Sequence, residues 1–282
     1  MKKWALIIDV ARCINCQNCV LATEDEHSDP TAGDGGGEVG ARWIKIERCT
    51  RGNDSMLDVT YVPQTCNHCE EAPCVAASGG AIYRRVDGIV VIDAEKSHGR
   101  RDLLQTCPYG AISWNEERRL PQKWSFDAHL LDSGWSEPRC SQACPTGALR
   151  ALRLDESELA EIQLQQGLEE IRPELRTRSR VLYRNLHRAT RCFLGGTVTR
   201  RLADDTLENV ARARVELFVS GQTLRSCATD EFGDFKFDDL CGGTAWSLRV
   251  SHPQHGHTAA DGVLAESRYL GTLLLGAELV SS

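Results

Sequence analysis

Two stretches, Cys13-Ile-Asn-Cys16-Gln-Asn-Cys19 and Cys66-Asn-His-Cys69-Glu-Glu-Ala-Pro-Cys74, decide how this chain is read. A [4Fe-4S] cube needs one thiolate per iron. A cysteine trio on a loop can serve three corners, and a remote cysteine, commonly followed by proline, serves the last. Two such remote cysteines are present, in Cys107-Pro108 and Cys144-Pro145. Two trios and two Cys-Pro signatures account for the ligands of two [4Fe-4S] clusters, and spacing does not decide which Cys-Pro completes which trio. Structural zinc is the competing reading, but it usually pairs two C-x2-C knuckles and leaves the trios unexplained.

Outward from the first trio, Trp4 to Ile8 reads as a short strand running directly into Cys13. The glycine-rich stretch from Asp29 to Gly40 breaks all periodicity and is expected to be a surface loop. Strands are expected at Trp43 to Ile46 and Leu57 to Tyr61, and Asp87-Gly88 between two apolar runs marks a hairpin over Ala81 to Asp93. An internal repeat is visible: Leu6 to Cys13 resembles Val90 to Ser97, and Cys107-Pro-Tyr-Gly-Ala111 echoes Cys144-Pro-Thr-Gly-Ala148. These look like duplicated ferredoxin units whose cysteines have been selectively removed. Asp155 to Gln166 carries a helical pattern, and Arg172 to Arg191 is a basic connector. From about Cys192 the period changes to two, with strands expected near 196–200, 213–219, 232–237 and 245–250. The expected fold is therefore α+β: a duplicated ferredoxin-like iron–sulfur domain over 1–150, a helical and arginine-rich connector over 151–191, and a small all-β sandwich over 192–282.

The chain has 282 residues, 41% of them hydrophobic, and a formal charge of -7, which argues against a dedicated binder of nucleic acid. No apolar run approaches the ~20 residues that span a bilayer. A cleaved leader would have to cut into the first cysteine site. A soluble, cytoplasmic chain is expected. Of the 13 cysteines, Cys49, Cys140, Cys192, Cys227 and Cys241 lie outside the ligand set, and the last three are read as packing residues. His68, inside the second trio, is a candidate hydrogen-bond donor to whatever that trio holds. His27, beside Glu24, Asp25 and Glu26, reads as acidic surface. His252, His255 and His257 are spaced like a metal tag but lack a carboxylate or cysteine companion. No phosphate-binding loop, HExxH or nucleophile elbow occurs, so no catalytic residue is assigned.

The strings Ile8-Asp-Val-Ala-Arg-Cys-Ile-Asn-Cys-Gln-Asn-Cys19, Arg42-Trp-Ile-Lys-Ile-Glu-Arg48, Thr106-Cys-Pro-Tyr-Gly110, Ala128-His-Leu-Leu-Asp132 and Val181-Leu-Tyr-Arg-Asn-Leu186 resemble the iron–sulfur subunits of molybdopterin oxidoreductases such as dimethyl sulfoxide reductase. Within that family they are most similar to the small subunits of pyrogallol–phloroglucinol transhydroxylases. Thr229-Asp-Glu-Phe-Gly-Asp-Phe-Lys-Phe237 resembles their transthyretin-like sandwich, an immunoglobulin-like arrangement. The resemblance implies an electron-transfer role in complex with a large catalytic partner. That partner would hold Mo or W on two molybdopterin guanine dinucleotides and act on a hydroxylated aromatic. A nonaromatic substrate, or a redox-silent structural module, are the alternatives. The resemblance also implies a pairing: Cys13, Cys16 and Cys19 with Cys144, and Cys66, Cys69 and Cys74 with Cys107. Two further sites of four-cluster relatives are degenerate here. One has Ser97, Arg100 and Leu103 at ligand positions. The other has Thr23, Trp124, Asp127 and Cys140, and is expected to be empty.

Overall fold

A computed structural model describes residues 1–27 and 43–276 of the chain. The stretch Asp29 to Gly40, expected to be a loop, lies outside the described residues. The chain is α+β, with several small sheets and short helices, and divides into two units: Met1–Arg48 with Tyr61–Leu186, and Cys49–Thr60 with His187–Ser282.

In the first unit, β1 (Lys3–Asp9) is the centre of a three-stranded sheet. Its residues Ala5 to Ile8 are all buried, so it reads as a continuous apolar run rather than an alternation. The chain then forms α1 (Asn18–His27), the hairpin β2 (Lys45–Asn53) and β3 (Met56–Gln64), and the five-residue α2 (Pro73–Ala77). The hairpin expected around Asp87-Gly88 is β4 (Ile82–Arg84) with β5 (Val90–Ile92), and Gly88 has φ +86, a left-handed conformation that costs glycine little. There follow α3 (Ala94–Ser97), the hairpin β6 (Ser113–Asn115) and β7 (Leu120–Gln122), α4 (Ala128–Asp132) and α5 (Arg139–Gln142).

β8 (Leu149–Leu154) pairs antiparallel with β1. The expected helix is α6 (Glu156–Gln166), started by a capping box between Asp155 and Glu158 and ended by Gly167 at φ 58. β9 (Val181–Arg184) completes the sheet by pairing parallel with β1, Leu6 opposite Val181. It lies inside what the sequence presents as a basic connector. Val181, Leu182 and Tyr183 are buried, and so is Arg180, whose guanidinium donates to Glu156 at 2.9 Å, Glu70 at 3.2 Å and the Trp4 carbonyl at 2.8 Å. The arginines thus conceal a core strand because one of them is paired inside the unit.

The second unit continues through α7 (His187–Thr190) into β10 (Cys192–Arg201), β11 (Leu207–Asn209), β12 (Arg214–Val219), β13 (Gln222–Ala228), β14 (Asp234–Leu240), β15 (Thr244–His252), β16 (Gly256–Leu264) and β17 (Arg268–Leu274). One sheet runs β11-β10-β14 with β17 parallel to β10, and the other β13-β12-β15-β16. Along β15, Trp246, Leu248 and Val250 point inward and alternate with exposed residues, and they join Leu194, Val215, Phe235 and Phe237 in one apolar cluster. Residues 49–60 belong here, with Arg51 bound to both Asp58 and Asp238. Strands β11, β13, β16 and β17 escape the sequence pattern because their residues are largely exposed or half-buried, as β13 is along nearly its whole length.

Candidate functional site

The cysteine trios sit where strands end and short helices begin. After β1, the Asp9 carboxylate accepts from the Ala11 amide at 3.1 Å and the Asn185 side chain at 2.7 Å, fixing the exit of the loop. Asn15 and Gln17 then adopt φ of 57 and 64, which coils the backbone between the cysteines. Cys13 is half-buried, Cys16 exposed, and Cys19 buried in the first turn of α1. Cys144 follows α5, and its carbonyl accepts from Gly147 at 3.1 Å. In the second set Cys66, Cys69 and Cys74 are buried and Cys107 is half-buried, its sulfur accepting from the Ala111 amide at 3.4 Å.

Electrostatics shows which thiols the fold brings together. Burial pushes the Cys19 thiol up to about 12, and Cys13, Cys144 and Cys16 add to the shift by their proximity. Burial likewise pushes Cys69 up to about 12 and Cys74 up to about 11, with Cys66 and Cys107 contributing to both. The first trio therefore shares its surroundings with Cys144 and the second with Cys107. Cys144 is the exception: burial raises it, but hydrogen bonds from the Leu149 amide and the Thr146 hydroxyl bring it below the ordinary value.

The expectation of two [4Fe-4S] clusters is corrected at this point. Among the described residues there is no group of three or more His, Cys, Asp or Glu side chains able to hold a metal ion. Iron coordination, metal binding and the electron-carrying role that rests on them do not stand on this structure. The thiols of each set are near enough to interact electrostatically, but a metal-holding group needs three or more donors placed around one point, and that arrangement is not found among the described residues. The triple-histidine segment fares no better: His252 and His255 stack at 4.4 Å without a third partner of ligand type.

The degenerate third set is drawn together by hydrogen bonds instead. Trp124 is fully buried, and its indole N–H donates to Asp127 Oδ1 at 2.9 Å. Asp127, also fully buried, accepts from the Arg139 amide at 2.8 Å and meets His27 Nε2 at 2.8 Å. Burial alone would raise the Asp127 carboxyl, yet the hydrogen bonds from His27, the Arg139 amide and Trp124 hold it below the usual range. Thr23 turns its hydroxyl to the Cys19 carbonyl at 2.8 Å, and Cys140 is fully buried with its thiol pushed well up by that burial and by Asp127. Trp124 stacks on Phe126 at 4.6 Å, and His68 abuts both rings edgewise. His68 accepts from the Val90 amide through Nδ1 at 3.0 Å, so its proton sits on Nε2, which finds no partner among the described residues.

Sequence reasoning treated His27 as acidic surface; it is in fact part of this cluster. The signal was available: Cys19, Thr23 and His27 recur every four residues and share one face of α1. Lys123 was also missed. It is buried, and its ammonium donates to the carbonyls of Val90 and, at 3.2 Å, Trp124.

Comparison with known proteins gives residues 57–153 a match to the model of the 4Fe-4S dicluster domain. The chain is 40% identical over 248 residues to the pyrogallol hydroxytransferase small subunit of Pelobacter acidigallici, covering 86% of this chain and 89% of that one. It is 32% identical to a putative dimethyl sulfoxide reductase iron–sulfur subunit of Halobacterium salinarum, over 52% of this chain and 65% of that one. It is 31% identical to a tetrathionate reductase subunit of Salmonella typhimurium, over 65% and 73%.

Proposed function

Because the chain belongs to the small-subunit family of dimethyl sulfoxide reductase-like and pyrogallol-transhydroxylase oxidoreductases, as a non-catalytic accessory subunit, we propose that it is a redox-silent structural module. Its partner in this reading is a large molybdopterin-containing catalytic subunit in the cytoplasm. The observation that carries the reading is similarity along 86% of the chain to a small subunit, combined with the absence of a metal-holding group among the described residues. The two cysteine sets, Cys13, Cys16, Cys19 with Cys144 and Cys66, Cys69, Cys74 with Cys107, then act as the organising points of a duplicated ferredoxin-like unit. The C-terminal strands form a transthyretin-like or immunoglobulin-like sandwich that serves as a docking surface. Thr23, Trp124, Asp127 and Cys140 form a site filled by protein. No described helix is long and apolar enough to cross a membrane, which fits a partner met in solution.

Purification of the native complex followed by stepwise reduction tests this. A structural module co-purifies with a larger chain containing Mo or W and shows no paramagnetic species of its own on reduction. Absence of the larger chain and its metal refutes the partnership. A reducible paramagnetic centre assigned to this chain, with iron and acid-labile sulfide to match, refutes the redox-silent role.

A further inference from the structure

The tip of the hairpin β2–β3 belongs to the second unit and is held there from several sides. Asn53 behaves as a surrogate strand residue: its side-chain oxygen accepts from the Tyr269 amide at 2.7 Å, and its side-chain nitrogen donates to the Tyr269 carbonyl at 3.3 Å. Arg51 forks onto Asp238 through two bonds of 2.8 Å, and its guanidinium lies 5.3 Å from the centre of the Phe193 ring.

Met56, the first residue of β3, makes the apolar contact of the tip. A Cβ on Gly195 would collide with Met56 Sδ and stand 3.0 Å from its methyl carbon, so the thioether rests on the β10 backbone where Gly195 leaves room for it. At that point β10 is paired on both sides, with Lys236 of β14 and Tyr269 of β17, and offers no open edge to a new polar atom. Met56 itself is half-buried, which keeps its sulfur within reach of a small solute. An oxidisable sulfur is thus packed where an added oxygen has little room and no free strand edge to meet.

We propose that Met56 is a reversible oxidation site, whose conversion to the sulfoxide by hydrogen peroxide releases the hairpin tip from β10. In the forward step the thioether sulfur attacks one peroxide oxygen: the O–O bond breaks, an S–O bond forms, sulfur is oxidised by two electrons, and the second oxygen leaves as water. In the reverse step a dithiol removes the oxygen as water and becomes a disulfide. The added oxygen makes a flexible apolar side chain polar and bulkier, and opposes its seat on Gly195. Asn53 and Arg51 keep their partners, so the result is a local opening of the tip and not the unfolding of the unit.

Hydrogen peroxide treatment of the full chain tests this, followed by dithiothreitol to reverse cysteine oxidation to sulfenic acid or disulfide, with peptide mass spectrometry and hydrogen exchange as readouts. Met56→Leu keeps the volume and apolar character of the side chain and carries the same cysteines, so it is the control. Met56 is expected to become the sulfoxide under conditions that oxidise N-acetylmethionine completely, and exchange in peptides spanning 49–60 to rise about tenfold or more. The two methionine sulfoxide reductases, one for each sulfoxide epimer, are expected to restore both the thioether and slow exchange, while Met56→Leu exchanges slowly throughout. Met56 left unoxidised under these conditions overturns the proposal. So does a sulfoxide without faster exchange, a sulfoxide that the reductases leave in place, the same rise in Met56→Leu, or exchange that stays fast once the thioether is regained.

Discussion

Trp124→Ala is the most informative perturbation of the third set. The indole is fully buried, stacked on Phe126 at 4.6 Å and bonded to Asp127 at 2.9 Å. Truncating a core tryptophan to alanine costs about 3–5 kcal/mol through lost transfer energy and residual cavity. Removing a hydrogen bond to a charged, buried acceptor adds about 1.5–3 kcal/mol. The Asp127 carboxylate keeps the Arg139 amide and His27, so the lower end of that second range applies. The sum, about 4.5–6.5 kcal/mol, rivals the entire stability of a typical domain, about 5–15 kcal/mol. Trp124→Phe separates the two contributions: it retains most of the ring volume and loses the donor, for about 2 kcal/mol. Urea unfolding followed by hydrogen exchange on peptides of the first unit resolves that unit from the β-strand unit. If Trp124→Ala costs less than about 1 kcal/mol, or if Phe and Ala cost the same, the indole is not the packing and hydrogen-bonding plug described here.

Asp127→Asn is expected to alter the acid limb of stability. The folded carboxyl lies below its ordinary value of 3.8, so its contribution is fully present above that value and disappears as pH falls through the lowered folded pKa. The stability difference between wild type and Asn variant should shrink below about pH 4, as melting curves across pH will show; a difference constant with pH contradicts the assignment. Brief alkylation followed by peptide mass spectrometry should label exposed Cys16 and spare Cys140, which is fully buried with a raised thiol pKa. Asp155→Ala should lose about 1 kcal/mol by removing the α6 capping box, measured by urea unfolding. Gly52→Ala should destabilise the second unit more than an ordinary surface change, because φ is +92 and a Cβ would stand 2.1 Å from the Met56 carbonyl oxygen.

What the sequence made legible follows from which forces leave a local trace. β1 was readable because burial on both faces demands an unbroken apolar run, and α6 because Leu159, Ile162 and Leu164 are spread among Glu and Gln in a helical pattern. β9 was not, because its neighbour Arg180 is buried by pairing with Glu70 and Glu156, partners 110 and 24 residues away, and no window of sequence contains all three. His27 failed for the same reason: its carboxylate partner is 100 residues distant. The cysteine motifs show the opposite limit. Their spacing suggests that the thiols gather as metal donors; the thiols do influence one another at Cys19 and Cys69, but no metal-holding group is found among the described residues. Proximity alone does not make a metal-holding group, which needs its donors placed around one point. Burial raises most of these thiols, while hydrogen bonds lower Cys144. Cys144 is therefore where thiolate character in the first set should begin, and alkylation rates across pH, compared with Cys13, would show whether the backbone amides around it outweigh its burial.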